Sequence, residues 1–410
     1  MSVDEILGTL AIIVGAGLVA QVFADLLRVP AMILLLAAGA ILGPHATGAI
    51  DVPLASDGAR VLLSLGVAFI LFHGGLNLSV RVLSRTVVGL LLLVVPGVLL
   101  TALIVGAVAG AAFSVPLVAG LMIGAALAPI DPAILIPLFE RLRLRPKLAQ
   151  TIVAESALND ATGAVLTLAL AVAVAGAETS LGTPALDFVT ELAVSTGLGI
   201  VFGVLLSLLI SSRRAGIWQE SAALVVLAVL AASWVSIDSA GGSGYLGAFI
   251  AGLIVGNMDE LRLAMRGPNE RDMRSLVEAV MDVVVILVFV VLGANLPFDE
   301  LRDEALPAIA VVATLLLVAR PLVVLACVLP DRRGRWTREE VVFLAWTRET
   351  GVVSAALAGV LVAKGVPHAE LVVVTVALAV VATLLLQTTT KPWLARRLGL
   401  LEPADQIRPD

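Results

Sequence analysis

Apolar runs of about 18–25 residues recur along almost the whole chain, separated by short segments that carry nearly all of its charge. A run of that length is what an α-helix needs to cross the hydrocarbon core of a bilayer. Inside hydrocarbon, a helix satisfies its backbone N–H and C=O groups within its own segment. The repetition therefore predicts one all-α polytopic membrane domain, although 410 residues would allow two or three soluble ones. Only 14% of the residues are charged, against about 25% in soluble chains. The net charge of −6 is sorted by side of the membrane, so it signals no partner and gives no sign of nucleic-acid binding. Cys327 is the single cysteine and can form no internal disulfide.

Thirteen such runs lie near 6–24, 30–44, 60–77, 87–112, 115–138, 148–176, 188–210, 218–236, 241–257, 276–295, 306–329, 339–363 and 370–390. The first follows Asp4-Glu5 without a basic leader or a small-residue cleavage site, so a retained span is expected and not a signal peptide. The basic residues then set the orientation. With the N-terminus outside, the cytoplasmic segments hold Arg28; Arg81 and Arg85; Arg141, Arg143, Arg145 and Lys147; Arg213 and Arg214; Arg262, Arg266, Arg271 and Arg274; Arg332, Arg333, Arg335 and Arg338; then Lys391, Arg396, Arg397 and Arg408. These are 21 of the 26 Lys and Arg. The opposite side has Arg60, Arg302 and Lys364, while Arg320 and Arg348 fall inside spans. This asymmetry follows the positive-inside rule. It predicts a multi-pass protein of the cell (inner or plasma) membrane, N-terminus outside and C-terminus cytoplasmic. Residues 1–392 make the transmembrane domain, and 393–410 a short cytoplasmic tail without a soluble regulatory domain.

An odd number of spans allows two inverted six-helix repeats, about 6–176 and 218–390, joined by a linking helix at 188–210. In secondary transporters, interrupted helices at matching positions of two such halves mark the binding site. The fifth span carries Ala128-Pro129-Ile130-Asp131-Pro132, where two prolines remove backbone donors and should unwind the helix. Its counterpart, the twelfth span, carries Thr347-Arg348-Glu349-Thr350-Gly351 within an apolar run.

The sixth span holds Glu155-Ser156-Ala157-Leu158-Asn159-Asp160. A charge near the bilayer centre costs at least about 2.5–3.5 kcal/mol, so two carboxylates there imply an ion or proton pathway. Asp160 is about 18 Å from the cytoplasmic end of its helix, near the midplane. Ser156 shares its face, whereas Glu155 is turned away by about 140°. The simplest division gives the ion to Asp160 and a structural partner to Glu155, with Arg320 in span eleven as that partner.

The pairing of Glu-Ser-x-x-Asn-Asp in span six with Asp-Pro in span five resembles the NhaP-type, electroneutral cation/proton antiporters. Phe72-His73-Gly74-Gly75-Leu76, Leu246-Gly247-Ala248-Phe249-Ile250-Ala251-Gly252 and Arg320-Pro321 extend the resemblance over essentially the whole chain. It implies a homodimer of thirteen-helix protomers. The cation would be held by Asp160, Asp131, Ser156 and backbone carbonyls that include Ile130. Glu155 and Arg320 would form a buried ion pair with Asn159 beside it, and Arg348 would be a second buried arginine. Two features depart from the family pattern: Ile130 replaces a threonine, and Glu349-Thr350 separate Arg348 from the glycine that usually follows it. The added carboxylate is expected either to pair with Arg348 or to alter which cation binds.

The chemistry stands without the family. A carboxylate in a partly desolvated cavity can take up a proton near neutral pH or bind a dehydrated monovalent cation through oxygen. Competition at Asp160, with alternate opening to each side, gives exchange of Na⁺ (or Li⁺) for H⁺, with K⁺/H⁺ exchange as the alternative. No cofactor is called for. One titrating ligand suggests one proton per cation, and the resemblance, with Asn159 where electrogenic relatives of the superfamily carry another aspartate, also implies 1:1, electroneutral exchange. Arg348 with Glu349 reads equally as a structural ion pair or a site element. His73 reads first as a helix-packing histidine and second as a pH sensor. Gln387 and Thr388 to Thr390 read as helix-packing polar groups. An intramembrane aspartyl protease using Asp131 and Asp160 is a remote alternative, because the Gly-x-Gly-Asp pattern of those enzymes is absent.

Overall fold

The apolar runs fold as helices, and the places where those helices break decide where polar side chains meet. The computed structural model describes residues 3–27, 29–54, 56–78, 87–131, 142–176, 183–211, 218, 221–260, 263, 268–332 and 334–401. In chain order the helices are α1 (Val3–Leu27), α2 (Ala31–Leu42), α3 (Asp57–Leu76), α4 (Val87–Val94), α5 (Pro96–Ala112), α6 (Leu117–Ala126), α7 (Pro146–Val174), α8 (Thr183–Ile210) and α9 (Ala222–Ser239). They continue as α10 (Gly244–Gly256), α11 (Pro268–Ala294), α12 (Phe298–Asp303), α13 (Ala305–Thr314), α14 (Arg320–Val328), α15 (Arg338–Trp346), α16 (Val352–Ala363) and α17 (Ala369–Arg397). Among the described residues, eight helices are long and apolar enough to cross a membrane, and five shorter apolar helices of 10–17 residues accompany them. Among the described residues there is no strand, only an isolated antiparallel bridge between Leu144 and Leu401.

Two groups of helices pack together. In the first, α2 packs on α1 and α11, α3 on α10, and α10 on α8 and α9. In the second, α5 packs on α6 and α13, α6 on α7, α14 on α4 and α15, and α17 on α13 and α16. The groups meet where α7 and α16 lie against α3. Lipid tails are as apolar as the side chains, so close backbone approach, not hydrophobic burial, holds helices together in a membrane. The glycines of the α3–α10 contact supply that approach: a Cβ on Gly75, Gly252 or Gly256 would strike the carbonyl of Phe249, Phe72 or Leu76.

Three of the breaks among the described residues of the second group bear on where the polar side chains meet. α6 ends at Ala126, and residues 128–131 run on without helical structure. Between α15 and α16, residues 347–351 are likewise non-helical. Between α13 and α14, Leu315–Ala319 form a π-helical turn immediately before Arg320-Pro321. Proline donates no hydrogen bond and crowds the preceding turn. A widened turn relieves that crowding and re-aims the neighbouring side chain.

The chain's end corrects two expectations. α17 does not stop at residue 390 but runs through Pro392 to Arg397, so residues 393–397 of the expected tail are helical. Lys391 is no cytoplasmic loop residue: it is fully buried on α17 and ion-paired with Glu349. A carboxylate at hand is what allows a lysine to stay inside the protein. Beyond α17 the chain doubles back onto the start of α7. The Arg145 N–H donates to the Leu400 carbonyl at 3.0 Å, and Arg145 Nη2 donates to that of Gly399 at 3.0 Å. Residues 132–138 of the fifth run, Arg28, Arg81, Arg85, Arg141, Arg213, Arg214, Arg262, Arg266, Arg333 and Arg408 lie outside the described residues.

Candidate functional site

The two breaks of α6 and α15–α16 face each other, and each supplies a charge to the helix end opened by the other. The Asp131 carboxylate Oδ2 accepts the Val352 N–H at 3.0 Å, capping the N-terminus of α16. A helix N-terminus carries partial positive charge and unpaired N–H groups, so a carboxylate is stabilised there. Arg348 Nη2 donates to the carbonyls of Leu127 at 2.7 Å and Ala128 at 2.9 Å, just past the C-terminus of α6. The two segments also touch directly, through the Asp131 N–H and the Glu349 carbonyl at 2.9 Å. Gly351 permits this approach, since a Cβ at that position would run into the Asp131 carboxylate.

α7 brings the six-residue motif against this crossing. Ser156 donates its hydroxyl to the Ile130 carbonyl, and Asn159 Oδ1 accepts the Ile130 N–H at 3.2 Å. The backbone of Ile130 is thus held from both sides by α7. The Asp160 carboxylate lies against the same stretch, where it feels both the Ile130 backbone and the charge of Asp131. Its Oδ1 is buried without a hydrogen-bond partner. Glu155 points elsewhere: it forms a two-pronged ion pair with Arg320, whose Nη2 sits 3.0 Å from Oε2. Arg320 Nε also donates to the Leu344 carbonyl at the end of α15, at 3.1 Å. The structure therefore brings Asp131, Ile130, Ser156, Asn159 and Asp160 into one cluster and places Glu155 and Arg320 beside it as a separate pair.

Glu349 does not reach Arg348; it pairs with Lys391. The sequence pattern holds a trace of this contact that a reading by charge alone passes over. Thr383, Gln387 and Lys391 are spaced four apart on α17 and so share one helical face. Each engages one residue of the 347–351 break. Thr383 Oγ1 accepts the Thr350 N–H at 3.1 Å, Gln387 Oε1 accepts the Arg348 N–H at 2.8 Å, and Lys391 pairs with Glu349. Gln387 thus does more than pack helices. His73 stands apart on α3, where Asn77 Nδ2 donates to its Nε2 at 2.9 Å.

The charges in this region do not balance. Among the described residues, the buried carboxylates around the breaks are Asp131, Glu155, Asp160 and Glu349, and the buried bases are Arg320, Arg348 and Lys391. Asp331 and Glu340 are also buried, but at a helix end. There Asp331 accepts from the Gly334 N–H and Trp336 Nε1, and Glu340 pairs with Lys147 at 2.7 Å. Counted over these described side chains with every group ionised, negative charge exceeds positive by one. A single proton or a single monovalent cation cancels it. Among the described residues, no three Asp, Glu, His or Cys side chains are grouped as a divalent-metal site would require.

Comparison with known proteins agrees with this chemistry. The sequence profile of the family described as "Sodium/hydrogen exchanger, transmembrane" matches residues 9–397. "Probable Na(+)/H(+) antiporter 2" of Methanocaldococcus jannaschii is 28% identical over 385 residues, covering 91% of this chain and 88% of that protein. "K(+)/H(+) antiporter NhaP2" of Shewanella oneidensis is also 28% identical, over 376 residues; these cover 90% of this chain but 63% of that protein. In fold, the chain is similar to the sodium proton antiporter MjNhaP1 from M. jannaschii at pH 8. The TM-score is 0.83 at 24% identity, over 96% of this chain and 99% of the other.

Proposed function

The chain belongs to the family of transmembrane sodium/hydrogen exchangers, and from that premise we propose that it exchanges one monovalent cation for one proton at Asp160. The observation that carries this reading is the buried Asp160 carboxylate, whose Oδ1 is unpartnered among described side chains that carry one negative charge in excess. A proton on that carboxylate, or a cation held by Asp160, Asp131, the Ser156 hydroxyl and the Ile130 carbonyl, brings the region to neutrality. The two occupants exclude each other on charge. The loaded site has the same net charge with either one, which supports electroneutral 1:1 exchange. The protein is a transporter and not an enzyme.

Access follows from the packing. The helices that bear the site form one group and α1–α3 with α8–α11 the other, so rocking of one group against the other would open the site alternately to each side. We read the eight long and five shorter apolar helices as thirteen crossings in two inverted repeats. The N-terminus is outside and the C-terminus cytoplasmic, in a homodimer of the cell membrane. Na⁺ is the first choice of cation. K⁺ is the second reading, favoured by a Shewanella relative named for K⁺ that is as similar to this chain as the methanogen relative named for Na⁺.

The deciding measurement is cation-driven dissipation of a preset pH gradient in vesicles, wild type beside Asp160→Asn, with Na⁺ and K⁺ titrated separately. Collapse by the wild type alone, with normal insertion of the variant, supports Asp160 as the exchange ligand, and the more effective ion names the substrate. Equal responses would move the site elsewhere, and no response to any monovalent cation would sink the reading.

A further inference from the structure

The break between α15 and α16 needs something to hold it. Residues 347–351 lie outside the intrahelical ladder and inside the protein, so their polar groups require partners from other elements. The face of α17 that carries Thr383, Gln387 and Lys391 provides them, one for each of three successive residues of the break. Two of these contacts are neutral hydrogen bonds to backbone N–H groups. The third is a full ion pair between two side chains with no exposed surface, Lys391 and Glu349. Glu349 is also the residue whose carbonyl receives the Asp131 N–H at 2.9 Å. Two residues on, Gly351 lies against the Asp131 carboxylate, and Val352 donates to it.

We propose that Lys391 is a positioning residue for ion exchange: it fixes Glu349, and through the Glu349 backbone it fixes Asp131 in the cation site. Lys391 pairs with Glu349. It acts by setting where the 347–351 segment crosses the end of α6. Gln387 and Thr383 are the neutral members of the same bracket. Without the ammonium group, the Glu349 carboxylate has no counter-charge at its fully buried position. The segment then shifts to hydrate it, and Asp131 moves with the segment. For its transport arm, this proposal rests on the exchanger reading given above.

The test uses the full chain and the variants Lys391→Arg, Lys391→Met and the neutral double variant Glu349→Gln/Lys391→Gln. Two quantities are read: the half-saturating Na⁺ and K⁺ concentrations with the maximal rate, in vesicles, and backbone hydrogen exchange over residues 128–131 and 347–352. In K391M the half-saturating concentration should rise about tenfold or more, because small misplacement of a ligand is costly. The maximal rate per inserted protein should change far less, and amide exchange at Asp131 should accelerate. K391R should restore both. A merely structural lysine would lower the amount of folded protein and leave half-saturation unchanged in what remains; that result overturns the proposal. If K391M does not insert, the double variant, with no buried charge at either position, replaces it. It too should show weakened half-saturation, and wild-type behaviour would overturn the assignment. If the wild type moves no monovalent cation, the exchanger reading fails by itself. Hydrogen exchange then decides, and unchanged protection at Asp131 in these variants overturns the positioning role.

Discussion

Asp131 and Arg348 each complete the helix that the other's segment leaves open. The aspartate accepts from Val352 at the start of α16 at 3.0 Å, and the arginine donates to Leu127 and Ala128 past the end of α6 at 2.7 and 2.9 Å. Both signs suit the helix dipole, with negative charge at an N-terminus and positive charge at a C-terminus. The meeting of these two broken helices needs both residues, because each helix end is buried away from water. A cation that approaches Asp131 therefore meets a carboxylate already tied to a helix N-terminus, which fixes its position before binding.

Arg348→Met should lower the thermal unfolding midpoint in detergent, because the carbonyls of Leu127 and Ala128 lose their donor. A buried acceptor left without a partner costs about 1–3 kcal/mol. Arg348→Lys should fall between, since an ammonium is a point donor without the guanidinium fork. An R348M melting curve superimposable on wild type would remove the capping role.

Glu155 and Arg320 are both almost fully buried and paired with each other. Removing one partner strands the other's charge, at a cost of about 3–5 kcal/mol, whereas removing both is far milder. Glu155→Gln and Arg320→Met should each reduce folded yield and stability, and the double variant should regain part of the loss. If either single change leaves folding and expression untouched, the pair does not hold the helices together.

If proton and cation compete for Asp160, as proposed, the sign of the pH dependence is fixed. Protonation removes the form that binds cation, so the half-saturating cation concentration should rise as pH falls and level off where the carboxylate is fully ionised. One competing proton gives a limiting slope of about tenfold per pH unit, by linkage between two ligands of one site. A slope near a hundredfold would require two protons. Clamping the membrane potential at different values should leave the rate unchanged, and a potential-dependent rate would rule out 1:1 electroneutral exchange.

Gly351→Ala adds only one methyl group, but that methyl points into the Asp131 carboxylate. The variant should insert and melt close to wild type while its half-saturating cation concentration rises about tenfold or more, as expected for a displaced ligand. Unchanged half-saturation would mean that Asp131 moves aside without consequence.

Much of this was legible in the chain. Hydrocarbon length sets the apolar runs, so an all-helical membrane fold follows from chemistry that any such sequence must obey. The carboxylates of the Glu155–Asp160 motif were legible for the same reason, since buried charge stands out against an apolar background. The 100° turn per residue separates Glu155 from Asp160 on paper, and in the structure Glu155 pairs with Arg320 while Asp160 lies against the Ile130 stretch. Lys391 was not legible, because a basic residue beside Pro392 at the end of an apolar run looks like the start of a loop. Only its partner Glu349, forty-two positions earlier, explains its burial. The π-helical turn before Arg320 was equally silent: proline announces a disturbance but not its form. The capping by Arg348 depends on where two breaks meet, which no single stretch of sequence records.

The bridge between Leu144 and Leu401, with Arg145 bound to Gly399 and Leu400, joins the end of α17 to the first turn of α7. The helix that carries Ser156, Asn159 and Asp160 therefore has a handle at the far end of the chain. Tension applied at residue 401 is shared between the end of α17 and the start of α7. A load there therefore reaches the helix that carries the proposed ion ligands, whereas a load at the start of the chain reaches α1, which packs against α2 and α11.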